Sequence, residues 1–139
     1  MTMEDENVAI LREAYRRWAD GKGHDLDCWM AVLDETASLG SLADGAAGME
    51  FSNPRSTKSE IMDYLRELTR DWEMLSFEMD EFVAQGDRVV AIGRCAWRNK
   101  RTRKVADTPK IDLWRFKNGR VVEFSEFYDT ARAFAAAQP

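Results

Sequence analysis

The feature that most restricts the fold is a change of hydrophobic period at Met74. Before it, apolar residues recur at helical spacing: Val8, Leu11, Tyr15 and Trp18 in EDENVAILREAYRRWADGKG, then Ile61, Tyr64, Leu65 and Leu68 in STKSEIMDYLRELTRDW. After it, MLSFEMDEFVAQ, RVVAIGRCAWRN, KVADTPKIDLWRFK and RVVEFSEFYD follow one another with period two. The first spacing buries one stripe of a helix and the second buries one face of a strand. Helices first and an antiparallel meander second define an α+β domain, with helices packed on one sheet face.

Local signals set the boundaries. Gly21 and Gly23 stop the first helix. DLDCWMAVLDE reads as a second helix, with Leu26, Trp29, Met30 and Leu33 on its apolar face and Asp25 or Asp27 as cap. TASLGSLADGAAGMEFSNP is strand-like at first and loose afterwards. Thr57 and Glu60 have the spacing of a capping box ahead of the third helix. Gly86-Asp87 and Asn118-Gly119 are compact hairpin turns, NKRTRK is the solvated tip of the middle hairpin, and TARAFAAAQ is a short final helix. The 139 residues show no repeat or linker and read as one domain, 1–139.

Composition narrows the function classes. Twenty Lys and Arg against 25 Asp and Glu leave a net charge of −5, which disfavours nucleic acid or an anionic membrane as partner, with RNKRTRK a local exception. The apolar runs are too short to span a bilayer, and the amino terminus lacks a basic segment followed by an apolar one, so a cytoplasmic protein is expected. Cys28 and Cys95 stand singly in apolar stretches, as buried free thiols do. His24 is the one histidine and lies in a Gly/Asp-rich turn, so no metal site is expected.

Two carboxylates disturb the strand pattern. In PKIDLWRFKNGRVVEFSEFYD, Asp112 and Glu126 interrupt runs otherwise made for a buried sheet. Asp112, Trp114 and Phe116 share one face, and so do Val122, Phe124, Glu126 and Tyr128. The opposite phase would put Ile111, Leu113, Val121 and Phe127 inside, and parity alone does not choose between them. Asp112 is either a functional acid or half of a structural bridge to Arg94 or Arg115, because a buried charge without a partner is costly.

The same stretch carries a family resemblance over essentially the whole chain. PKIDLWRFKNGRVVEF resembles the Ile-Asp strand, aromatic-Arg-Phe, Gly turn and last strand of ketosteroid isomerases, and AYRRWADGKGHDLDCWMAVLDE resembles their first two helices. The chain is identified as a member of the NTF2-like superfamily, nearest its ketosteroid isomerase and SnoaL-like polyketide cyclase branch. The resemblance implies a cone-shaped, curved antiparallel sheet backed by three N-terminal helices, with a short C-terminal helix and an internal cavity. Asp112 then matches the protonated oxyanion-hole aspartate and Tyr15 the oxyanion-hole tyrosine. Tyr64, Trp97, Phe124 and Tyr128 match cavity-lining positions, and Trp18, Trp29, Cys95 and Trp114 complete the expected ligand-binding set. Glu126 lies where related cyclases and epoxide hydrolases place an acid.

The departures bear on the chemistry. Ser41 stands where the isomerases have their general-base aspartate, with Asp44 close by. The His-Asp pair of scytalone-dehydratase-like relatives is missing, and Ala96 replaces the aspartate of an Arg-x-Asp motif starting at Arg94. A carboxyl group in an apolar cavity loses hydration and stays neutral to higher pH, so it can donate to a developing oxyanion. Ketosteroid isomerases use a tyrosine and a neutral aspartate in this way.

The leading expectation is a cofactor-free isomerase, cyclase or dehydratase acting on a small, largely apolar carbonyl compound. Tyr15 and Asp112 would hold the oxyanion, and Glu126 or Asp44 would move the proton. The alternative is a ligand-binding or dimerisation domain without chemistry, which Ser41 favours. In either case the outer sheet face would pair two copies.

Overall fold

The computed structural model describes residues 1–139. Helix α1 spans Met3–Asp20, α2 Asp27–Met30, α3 Lys58–Asp71 and α4 Thr130–Ala137. The strands are β1 Leu33–Ser41, β2 Trp72–Gln85, β3 Arg88–Asn99, β4 Val105–Lys117 and β5 Arg120–Tyr128. No helix is long and apolar enough to cross a membrane.

The helices begin and end where local chemistry supplies partners. Thr2 and Asp5 form a reciprocal capping box at the start of α1, and the Thr57 hydroxyl accepts the Glu60 N–H at the start of α3. The Glu60 carboxylate reaches one residue further back than expected, to the Ser56 N–H. Asp129 caps α4 by accepting the Arg132 N–H.

The second helix is much shorter than its apolar pattern suggests. Only four residues are helical, and Leu33 opens β1 instead of extending the helix. Asp25 accepts the Cys28 N–H and is bridged by Arg17, which fixes this turn against α1. Beyond it, parallel pairing with β5 claims the backbone from Leu33 onward. That pairing also departs from an all-antiparallel meander: the sheet order is β1-β5-β4-β3-β2, antiparallel except at the β1–β5 edge.

Bulges decide which side chains face inward. Strand β2 carries an extra residue at Leu75 and another at Asp80 against β3, so its inward set is reset twice, from Met74 to Phe77 and Met79 and then to Phe82. An added residue near Val122 does the same on β5, so Val121, Phe124 and Glu126 all point into the core. Each of the two possible phases therefore holds for part of β5. On β4 the alternation is unbroken, and Lys110, Asp112, Trp114 and Phe116 are buried while Ile111 is exposed.

Bulges bend the bulged strand and increase its twist, and here they give a curved, unclosed sheet. Gly93 sits opposite Met79 at the second bulge, and a Cβ there would lie 1.8 Å from the Glu78 carbonyl oxygen. The sheet can curl at this point because residue 93 has no side chain. The buried faces of α1 and α3, a 28-residue apolar cluster and the inward rows of the sheet form one continuous core.

The basic hairpin tip differs from a merely solvated loop. Arg101 donates to the Ala137 carbonyl at 2.7 Å, Thr102 to the Ala136 carbonyl at 2.5 Å and Lys104 to the Pro139 carbonyl at 3.1 Å. The first two donors satisfy carbonyls that the last turn of α4 leaves without partners, and the third holds Pro139 just beyond it. His24 is exposed, as its turn position implies.

Candidate functional site

Between the helices and the inner sheet face lies a hollow of about 100 Å³, with 20 hydrophobic residues among its 24 lining residues. Strands β4 and β5 bring three charged groups to its wall. Asp112 pairs directly with Glu126 across the ladder, and Lys110 precedes Asp112 by two residues on the same face. All three are buried, at 7% exposure for Lys110, 1% for Asp112 and 4% for Glu126.

Lys110 joins the two carboxylates. Its Nζ lies 2.5 Å from Asp112 Oδ1 and 3.1 Å from Glu126 Oε1. Burial alone would draw the ammonium toward its neutral form, but the fields of Asp112 and Glu126 outweigh it, and the lysine pKa rises. Burial also raises the Asp112 pKa, against the opposing pull of Lys110. The partner of Asp112 is therefore neither Arg94 nor Arg115: those pair on the outer face with Asp107 and Glu123.

Two tyrosines complete the polar cluster. Tyr15 on α1 donates its hydroxyl to Asp112 Oδ2 at 2.5 Å and accepts from the Trp114 indole N–H at 2.8 Å. Tyr64 on α3 donates to the Glu126 carboxylate at 3.0 Å. Burial, reinforced by the neighbouring carboxylates, pushes both phenols well above the ordinary tyrosine range, so they act as O–H donors and not as phenolates. The polar atoms form one chain, Trp114–Tyr15–Asp112–Lys110–Glu126–Tyr64.

The remaining wall is aromatic. Trp29 stacks on Trp114 at 5.2 Å, Trp114 packs against Phe124 at 4.2 Å, and Tyr15 stacks on Phe77 at 5.9 Å. The Lys110 ammonium lies 5.8 Å from the Phe77 ring centre and 5.7 Å from that of Phe124.

Tyr15, Asp112 and Glu126 therefore come together at one hollow, and Trp18, Trp29, Tyr64, Cys95, Trp97, Trp114, Phe124 and Tyr128 line it. Asp44 does not join them. It is exposed in the turn after β1 at φ 50°, a left-handed conformation that short polar residues tolerate. Ser41 is buried at the end of β1, with its Oγ 2.7 Å from the Tyr128 hydroxyl. Burial pushes the Cys95 thiol up to about 11, which leaves it protonated and unreactive near neutrality.

Lys110 is the site residue that sequence reading missed. The signal was present, since a residue two before Asp112 shares its face. The prior that lysines lie at the surface argued against it.

The fold and its hollow define an NTF2-like α+β protein of the kind found among polyketide cyclases and ketosteroid isomerase-like proteins. Residues 11–124 match the SnoaL-like domain family, and the chain belongs to that family. An NTF2-like protein from Burkholderia thailandensis is similar, at 26% identity with a TM-score of 0.82, covering 96% of this chain and 98% of its own. TerC, co-crystallised with polyporic acid, shares the fold at 14% identity and a TM-score of 0.79, over 96% of this chain and 99% of its own. A protein from Catenulispora acidiphila with a ketosteroid isomerase-like fold, in complex with trimethylamine, superposes at a TM-score of 0.73 with 10% identity, over 92% and 91% of the two chains. None of the curated proteins matches this chain significantly.

Proposed function

We propose that this protein binds a small, largely apolar carbonyl compound and moves a proton on it without a cofactor, in the manner of an isomerase, cyclase or dehydratase. The observation that carries the reading is the Lys110–Asp112–Glu126 cluster set into an otherwise apolar wall. Glu126 is the proton acceptor. As the C–H bond next to the carbonyl breaks, its proton passes to a Glu126 oxygen and its electron pair moves onto the carbonyl oxygen. The Lys110 ammonium has three N–H donors and two carboxylate partners, so its third hydrogen is available for that oxygen. Where a carbon–carbon double bond adjoins that carbon, return of the proton from Glu126 to the far end of the double bond, with the oxygen's pair re-forming the carbonyl, completes an isomerisation and regenerates the carboxylate.

Tyr15 and Asp112 act in this scheme as a unit. While Asp112 is ionised, the single hydroxyl hydrogen of Tyr15 is committed to it. If Asp112 takes up a proton, that hydrogen can bridge to the tyrosine oxygen, and the Tyr15 O–H is freed toward the hollow. The raised Asp112 pKa brings this state closer to neutral pH.

Deuterium exchange at the carbon next to the carbonyl of a cyclic ketone, followed by NMR, tests the reading. Glu126→Gln is expected to slow exchange by about 100-fold, with the fold intact by circular dichroism. Exchange no faster than in buffer for the wild-type protein, across a panel of ketones, would remove the catalytic reading. That result would favour a binding protein without chemistry. The supporting observation for this second reading is Ser41, held by Tyr128 where related isomerases keep an aspartate.

A homodimer through the outer sheet face is part of the proposal. Ile92, Ile111 and Phe127 lie in register across β3, β4 and β5, with Ile111 and Phe127 exposed. Sedimentation should give twice the chain mass, and Phe127→Glu should return it to that of one chain. A wild-type monomer at micromolar concentration would end this part.

A further inference from the structure

Three observations constrain what the hollow can hold, and this inference rests on the ligand-binding reading above. The first is size. An apolar cavity of about 150 Å³ is enough for benzene, whereas the hollow here is about 100 Å³. A single ring fits with small side-chain movements, and a second fused ring would need larger ones or would project from the hollow, which is not closed on every side. The second is polarity: the aromatic and aliphatic wall is broken only by a cluster whose members largely satisfy one another. Within that cluster the donor left for a ligand is one Lys110 N–H, which sets the place of the ligand's acceptor oxygen.

The third is charge. With Lys110 protonated and both carboxylates ionised, the cluster carries one net negative charge. A ligand that arrives as an anion adds a second charge in a dry site, where like charges repel strongly. One that arrives neutral and passes its proton to Glu126 leaves the total unchanged, with its oxygen facing the ammonium.

We infer that the ligand is a compact, single-ring weak acid or its keto tautomer, a phenol or an enolisable cyclic ketone. It enters neutral, its ring against Phe77, Trp114 and Phe124 and its oxygen at Lys110. This narrows the proposed function toward single-ring compounds over multi-ring ones.

Isothermal titration calorimetry with phenol, toluene, 2-naphthol and a four-ring phenolic steroid tests the inference. The expected order has phenol tightest, toluene at least tenfold weaker for want of the oxygen, and 2-naphthol at least tenfold weaker for want of space. The size effect is diagnostic because an added ring brings apolar area, which tightens binding wherever room exists. Phe77→Ala, which enlarges the hollow at a half-buried wall residue, should reverse the order of phenol and 2-naphthol. Lys110→Met should bring phenol and toluene to equal affinity.

Equal or tighter binding of 2-naphthol or the steroid by the wild-type protein overturns the size limit. If those larger phenols still lose affinity in Lys110→Met, the function proposed above stands without it. Equal binding of toluene and phenol by the wild type overturns the role given to Lys110. Binding of none of the four compounds overturns the ligand-binding reading as well.

Discussion

Lys110→Met is expected to destabilise the protein by about 3–5 kcal/mol at pH 8, read by urea unfolding. Removing one partner of a buried ion cluster leaves charge without compensation in a poorly solvated site, and such losses are far larger than those of exposed pairs. The cost should depend on pH in a direction fixed by linkage. Asp112 has a folded pKa above its ordinary 3.8, so the folded protein holds that proton more tightly than the unfolded chain does. The stability this group contributes is full at low pH and falls as pH rises through the interval between 3.8 and the folded value.

Lys110 lowers the Asp112 pKa, so its loss extends that interval upward. The deficit should therefore be smaller at pH 5 than at pH 8. The raised lysine pKa adds no pH dependence over this range: its contribution is complete below 10.5 and is lost only as pH rises beyond that, so the mutant lacks it equally at pH 5 and pH 8. Adding Asp112→Asn and Glu126→Gln to Lys110→Met removes the charges while keeping acceptors for Tyr15 and Tyr64. The triple variant should recover most of the stability. A single variant within about 0.5 kcal/mol of wild type at both pH values, the usual range for surface substitutions, would mean that the three groups do not meet in a dry site.

Gly93→Val is expected to cost more than about 4 kcal/mol or to prevent folding. A Cβ at this position would come 1.8 Å from the Glu78 carbonyl oxygen and 2.8 Å from the Met79 Cα. Those are backbone atoms, so no side-chain rotation relieves the overlap, and strand β2 must move away from β3. Such losses lie at the far end of the range for point substitutions and need a mechanism of this kind.

Gly40→Ala is the matched control, since its added Cβ meets nothing nearer than the Ser125 Oγ at 3.9 Å. It should shift the midpoint of unfolding little. Because Gly93 adjoins the second bulge of β2, its effect extends to function: a flattened sheet no longer encloses the hollow. If Gly93→Val folds with wild-type stability, the curl does not depend on that close approach.

The two positions show why some of this protein was legible in its sequence and some was not. The strand RVVAIGRCAWRN was readable to the residue, because one face alternates cleanly and the Gly86-Asp87 turn and the NKRTRK tip bracket it. The faces of α1 and α3 were equally plain, since a helix buries what recurs on one stripe. Asp112 and Glu126 stood out as acids among aromatics, and the family resemblance supplied Tyr15. Lys110 shares the face of Asp112, but that spacing alone does not distinguish a buried lysine from one whose head reaches solvent. It stays inside because two carboxylates from adjacent strands meet it there.

Local patterning, then, determined the order of elements, the apolar stripe of each long helix and the inward face of strand β3. Those depend on residues only a few positions apart, whose spacing the backbone period fixes. Tertiary structure decided the rest: the early end of α2, the parallel pairing of β1 with β5, the phase of the bulged strands β2 and β5, and the partners of Asp112. Each of these was settled by residues distant in the chain, competing for the same backbone hydrogen bonds or sharing one enclosed space. Charge compensation and close backbone approach act through distance in space, and one-dimensional spacing does not record it.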